Sequence, residues 1–358
     1  MSGISKSGAY RAFLIICGLI AVIGTVIVAC TAIDPARADQ GFLWAFGFAV
    51  AVLILLPLNT LVHELGHLAF GFLSGMHFSS VRFGWLRLVR IGDKVKLQWL
   101  RHRDVAGSCE MYPRDDRNLE RRMIVYSLGG AIFNLAYGVA LLLTFLLPMH
   151  PVLYFFQLFA PLSLLEAASC LYPAETATGK TDGGMVRSLL RREPSAVVAL
   201  HVLAAQGILS RGTYSDVSEQ LLYDVPAVRE DDGGFQALTQ LRWQYNFWTG
   251  KEERAFSELE RLRSLYEYLP ELNRGDVACD LIYADCVLSD APERAEEYLA
   301  DAAYAKGTCA YFRAMAAYEC ATGRDASAML AEARSAAAEE PVRGIAALEE
   351  VFIGRIDG

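Results

Sequence analysis

The chain divides by the rhythm of its apolar residues. Four long runs, residues 12–33, 41–75, 123–147 and 151–172, are almost wholly apolar. Each has about 20 residues or more, the length a helix needs to cross a bilayer. Beyond residue 194 the runs give way to stretches rich in Ala, Leu and Glu, which read as helices that each bury one apolar stripe. The pattern predicts an all-α polytopic membrane domain of about four transmembrane helices over 1–194. An acidic α-helical repeat or bundle domain is predicted to follow over 195–358. Pro57 in the second run removes a backbone hydrogen bond and predicts a bend there. The first run carries two look-alike cleavage boxes, Ile27-Val28-Ala29-Cys30 and Ala36-Arg37-Ala38. Signal cores usually span only about 7–15 apolar residues, so this longer run is expected to be retained as a helix.

Charge separates the same halves. Residues 1–194 hold 18 Lys and Arg against 13 Asp and Glu, whereas 195–358 hold 15 against 28. An acidic domain lacks the Lys and Arg that phosphate binding needs, so no nucleic-acid partner is expected. Basic residues of the first half fall on alternate connections: Lys6 and Arg11 at the N-terminus, eleven over 76–122, and Lys180, Arg187, Arg191 and Arg192 after the fourth run. The positive-inside bias then puts the N-terminus, the 76–122 segment and the C-terminal domain in the cytosol. None of the eight cysteines forms a Cys-x-x-Cys pair, and all, Cys170 included, are expected to be reduced and structural.

The chemistry concentrates in the second run, at His63-Glu64-Leu65-Gly66-His67. On a helix His63 and His67 share one face and can grip one ion, while Glu64 beside them can take a proton from water. Two histidines one turn apart occur by chance, but ionisable groups in an apolar run cost on the order of several kcal/mol and need a reason, such as zinc. His67 lies eight residues before Gly75, roughly 12 Å along a helix, a depth that water can reach from the cytosolic side.

A catalytic zinc commonly takes three protein ligands. Glu110 lies among arginines and is expected to pair with one; Glu175 is expected to be solvated. Glu166 lies in the fourth run. Asp182 lies in Thr181-Asp182-Gly183-Gly184, where two glycines let the backbone approach another helix closely. Spacing favours Asp182 over Glu166, with a helix N-cap as the plain alternative for Asp182. Gly179-Lys180-Thr181 ends like a phosphate-binding loop, but Ala174 stands where the first glycine belongs.

At these residues the chain resembles the site-2 protease family of intramembrane zinc metalloproteases. Three motifs carry the likeness: His63-Glu64-Leu65-Gly66-His67, then Ser127-Leu128-Gly129-Gly130-Ala131-Ile132-Phe133-Asn134, then Asp182-Gly183-Gly184. It covers about residues 41–192. The resemblance implies zinc on His63, His67 and Asp182, with Glu64 as general base. Asn134 would face the site and help hold the substrate; an interhelical hydrogen bond is its alternative role. Ala131 replaces the family's proline, and Cys170-Leu171-Tyr172-Pro173 lacks the Asn of its Asn-x-x-Pro turn. The path from Pro173 to Asp182 is also longer than in the family.

Residues 78–111 are expected to insert a small β element, with strands over 78–89, 94–100 and 105–111 and a turn at Gly92-Asp93. Such a sheet can sit on anionic headgroups, or take an unwound peptide along its edge. In the C-terminal domain Tyr245 and Gly250 are matched by Tyr318 and Gly323, 73 residues on, with Gly212, Tyr283, Ala255, Ala295 and Ala328 at related spacings. This resembles tetratricopeptide-type helix hairpins and a surface for a protein partner. The expected protein is an integral one of the bacterial cytoplasmic membrane. It would be a zinc metalloendopeptidase acting on membrane-spanning or membrane-proximal protein or peptide substrates. The alternative is an impaired scaffold that binds partner proteins through its helical domain.

Overall fold

The computed structural model describes residues 3–32, 41–99, 107–146, 154–157, 159–176, 179–269 and 271–357. Internal contacts group the chain into two units. One comprises Met1–Val89, Val95–Met111 and Arg117–Arg192; the other comprises Arg90–Lys94, Tyr112–Asp116 and Glu193–Gly358. Helix dominates both, and the described strands form one four-stranded sheet and one two-stranded hairpin.

In the first unit the helices are α1 (Gly3–Ala32), α2 (Gly41–Leu73), α3 (Leu119–Leu143), the short α4 (Tyr154–Gln157), α5 (Phe159–Leu171) and α6 (Asp182–Leu190). α3 packs against α2, α5 and α6, and α1 packs against α5. Glycine sets the α2–α3 crossing. A Cβ on Gly66 would collide with the Gly129 carbonyl, and one on Gly129 would lie 2.5 Å from the Gly66 carbonyl oxygen. Side chains are thus excluded from the crossing and the two backbones touch. Pro57 lies inside α2, which continues as helix on both sides of it. α2 stops at Gly75, whose φ of +81° is open to glycine and costly for other residues.

Among the described residues, two helical segments are long and apolar enough to cross a membrane by length and composition, Gly8–Ile27 and Leu119–Leu143. The fourth expected run is described as the short α4 and the longer α5, and its residues 151–153 and 158 lie outside the described residues.

The insertion contains four strands rather than three: β1 (Met76–Phe83), β2 (Leu86–Ile91), β3 (Lys94–Trp99) and β4 (Gly107–Pro113), in the order β3-β2-β1-β4. The expected first strand over 78–89 is folded back on itself at Gly84-Trp85, pairing Phe83 with Leu86 and Ser80 with Val89. Gly84 makes this possible with a φ of +55°. The Gly92 turn joins β2 to β3 as expected, with φ +59°. β4 is an edge strand, paired in this sheet with β1.

The second unit holds α7 (Pro194–Leu209), α8 (Glu219–Tyr223), α9 (Gly233–Trp248), α10 (Glu252–Ser264), α11 (Glu271–Tyr283), α12 (Pro292–Ala295), α13 (Leu299–Ala302), α14 (Cys309–Ala321), α15 (Ser327–Ala337) and α16 (Arg343–Asp357). α9 packs on α10 and α14 on α15 as antiparallel neighbours in sequence. The matched Tyr and Gly positions are equivalent caps. Tyr245 accepts from the Thr249 amide at 3.0 Å, as Tyr318 does from Thr322, and Gly250 and Gly323 both have φ +72°. The middle turn differs. α11 runs on as five π-helical residues, Ala284–Leu288, and its left-handed residue is Asp290, so Tyr283 is not the counterpart of Tyr245. Ala255 and Ala295 are buried as packing positions, whereas Ala328 is exposed and Gly212 has no left-handed φ.

An ion cluster closes this core. Arg313 is 1% exposed and bonds Asp280 at 2.8 Å and Glu349 at 2.7 Å, sandwiched against the rings of Tyr283 and Phe352. Burial by itself favours loss of the guanidinium proton, but the charges of Glu349 and Asp280 more than offset it. Replacing Arg313 with Met should leave two buried carboxylates unpaired and destabilise the unit by about 3–5 kcal/mol. Hydrogen exchange of the α11, α14 and α16 amides in the full-length chain checks this, with at least a hundredfold faster exchange expected.

Candidate metal site

His63, Glu64 and His67 lie in the buried stretch of α2 that faces α3, each less than a tenth exposed. One helical turn brings the two imidazoles together, with Nε2 of His67 3.0 Å from Nε2 of His63. Asp182 joins them from the first turn of α6. Its Oδ2 is 3.3 Å from His63 Nε2 and 3.5 Å from His67 Nε2. Three ligands at bonds of about 2.0–2.1 Å around a tetrahedral ion stand about 3.3 Å apart, so this triangle has the size a metal needs.

Each imidazole is oriented from behind. His67 Nδ1 lies 2.9 Å from the Tyr126 carbonyl. A carbonyl only accepts, so Nδ1 carries the proton and Nε2 presents its lone pair to the site. The Tyr126 ring also lies against His67, with centroids 5.0 Å apart, and its hydroxyl donates to the Cys109 carbonyl on β4. His63 Nδ1 lies 3.4 Å from the buried Asn134 amide, whose Oδ1 has no hydrogen-bond partner among the described residues.

Gly130 shapes the cradle. A Cβ there would fall 2.6 Å from His63 Nε2 and 2.7 Å from His67 Nε2, inside the space an ion would fill. Glu64 lies just outside the triangle beneath the start of β4. A Cβ at Gly107 would come within 2.8 Å of Glu64 Oε1, so glycine lets the strand pass directly over the carboxylate.

The long path from Pro173 to Asp182 closes through a detour. β5 (Glu175–Thr176) and β6 (Gly179–Lys180) pair as a minimal hairpin, and Thr181 ties its neck. The Thr181 hydroxyl donates to the Tyr172 carbonyl at 2.7 Å and accepts from the Ala174 amide at 3.1 Å. The same oxygen caps α6 by accepting from Gly184 N at 3.1 Å. The N-cap is therefore Thr181, which leaves the Asp182 carboxylate for the histidines. Gly183 and Gly184 fit because a Cβ on either would strike the carbonyl of Leu171 or Ala174.

The other expected acids go elsewhere. Glu166 bonds the Asn59 amide, and Glu110 pairs with Arg87 at 3.3 Å. Cys109 stays a neutral thiol, since burial first, and then the charge of Glu64, pushes it up to about 12. Cys170, expected to be structural, lies close to two of these residues, His63 and Asp182. His63, Cys170 and Asp182 each offer a ligand atom within 4.8 Å of the others, a second group that can hold a metal and that shares two members with the first. Tyr126 was not singled out from the sequence either, and nothing in its local pattern marks it. Cys170 carried a faint signal, because it stands where the resembled turn has Asn. Comparison with known protein families, with curated proteins and with solved structures finds no match to this chain.

Two substitutions test the geometry through metal content alone. Gly130→Val should cut bound metal at least tenfold by filling the cradle, whereas Gly84→Asn in the distant turn should not. Thr181→Val should weaken metal affinity roughly 10–100-fold, because Asp182 loses its support. Metal analysis after dialysis against a buffered ion series reads both.

Proposed function

We propose that the protein is an intramembrane zinc metalloprotease of the site-2 protease type. The observation that carries this reading is the convergence of His63, His67 and Asp182 at mutual distances of 3.0–3.5 Å beside the buried Glu64. Two imidazoles and one carboxylate form a donor set suited to catalytic zinc. Zinc held there would supply a Lewis acid that activates water at neutral pH. Glu64 takes the proton of the attacking water and returns it to the leaving amine. The Tyr126 carbonyl sets the tautomer of His67, and the Asn134 amide lies against the ring of His63.

The substrate peptide is held extended along β4. That strand is an edge of its sheet, and Gly107 at its start lies over Glu64. A peptide adding to this edge brings successive carbonyls past the carboxylate. The membrane setting is supported by α1, whose Ile15, Ile16, Leu19, Ile20, Val22, Ile23, Val26 and Ile27 are all more than half exposed. Apolar side chains turned outward over so long a helix call for lipid. The orientation is the one the basic residues suggest, with the helical domain in the cytosol as a binding surface for substrates or partner proteins.

Cleavage by the detergent-purified protein tests this. Glu64→Gln should lower the rate at least a hundredfold and keep zinc at one per chain. Asp182→Ala should lose both zinc and cleavage, and Glu166→Ala should keep zinc. Equal cleavage by wild type and Glu64→Gln would end the proposal.

A further inference from the structure

Besides the three donors of the cradle, a thiol lies beside two of them, His63 and Asp182. Cys170 lies in the last turn of α5, two residues before Tyr172, whose carbonyl takes the Thr181 hydroxyl. The tie that brings Asp182 in thus also fixes the end of the helix bearing Cys170. From there its sulfur reaches the His63–Asp182 edge of the triangle, within 4.8 Å of a ligand atom on each. Cys170 has no disulfide partner among the described residues. Nearby Cys109 is held instead beside Tyr126 and Glu64.

We infer that Cys170 is a fourth metal ligand and that its sulfur closes the site in the resting protein. The inference rests on the zinc reading above. Catalytic zinc sites keep one position open for water, whereas sites with four protein ligands are closed. A sulfur–zinc bond of about 2.3 Å is longer than the others, so the sulfur can stand slightly outside the His–His–Asp triangle and still bind. On binding, the thiol releases its proton to solvent and the sulfur binds as thiolate. The enzyme then turns over only during the fraction of time in which Cys170 is withdrawn. Water enters when Cys170 withdraws, and Glu64, already beside the site, finds its substrate proton only then. The chemistry that opens the site is whatever competes for the thiolate, whether a peptide that displaces the end of α5 or an agent that alkylates the sulfur.

Cobalt(II) tests this without any assay of cleavage. Full-length protein in detergent is stripped of metal and reloaded with one equivalent of cobalt. A sulfur-to-cobalt charge-transfer band in the near ultraviolet is expected in wild type. In Cys170→Ser and Cys170→Ala that band should be absent while cobalt stays at one per chain. Cobalt bound to wild type without the band, or a band that survives in Cys170→Ala, would overturn the assignment and leave the metal site standing. Failure of wild type to bind cobalt would overturn both. Alkylation gives a second readout on the unmutated chain. Iodoacetamide labelling of Cys170, located by mass spectrometry, should be at least tenfold slower with zinc than without, and equal rates would count against the ligand. If the site is closed at rest, Cys170→Ala should also cleave faster than wild type.

Discussion

The backbone contact between Gly66 on α2 and Gly129 on α3 is the constraint on which the rest of the first unit depends. Helices carrying ordinary side chains keep their axes about 8–10 Å apart. With glycine on both sides the helices come close enough for the Tyr126 carbonyl to reach His67 and for the Asn134 amide to reach His63. The next residue, Gly130, then leaves open the space in front of both imidazoles. One short stretch of α3, from Tyr126 to Asn134, therefore sets the crossing, lies behind both imidazoles and keeps the cradle clear.

The third ligand depends on a different device. Asp182 is far from the histidines in sequence and enters through a hairpin that stores the extra residues of its connection. Thr181 does three things with one hydroxyl: it ties the neck, caps α6 and so frees Asp182 from capping. An N-cap contributes about 1 kcal/mol to a helix, but its larger effect here is positional. In the proposed enzyme the same arrangement links metal binding to the end of α5, because Tyr172 and Cys170 belong to that one turn.

The second unit follows another logic. Its hairpins use equivalent Tyr and Gly caps at two turns and a π-helical extension at a third, so the spacing between left-handed residues shifts from one pair to the next. Its centre is polar: Arg313 is enclosed by two carboxylates and two aromatic rings. Such a cluster is costly to desolvate and fixes which helices meet, since an alternative packing would strand a charge.

The amino-acid sequence by itself determined whatever depends on neighbours along the chain. The pairing of His63 with His67 follows from helical periodicity, and helical runs and the Gly92 turn from local propensity. The weak Tyr–Gly repeat marked two true caps. It could not show that residues 78–89 turn back at Gly84, because a strand pattern and a tight hairpin differ there by one residue in a left-handed conformation. It favoured Asp182 over Glu166 without showing why, since the answer lies in a hydroxyl that serves as N-cap in place of the aspartate. Only the tertiary structure decided that Tyr126 and Asn134 stand behind the histidines, that Gly107 lies over Glu64, and that Cys170 lies beside His63 and Asp182. Each of these joins residues tens of positions apart whose distance is set by helix packing. A cysteine in an apolar run looks the same in sequence whether it fills a core or faces a metal.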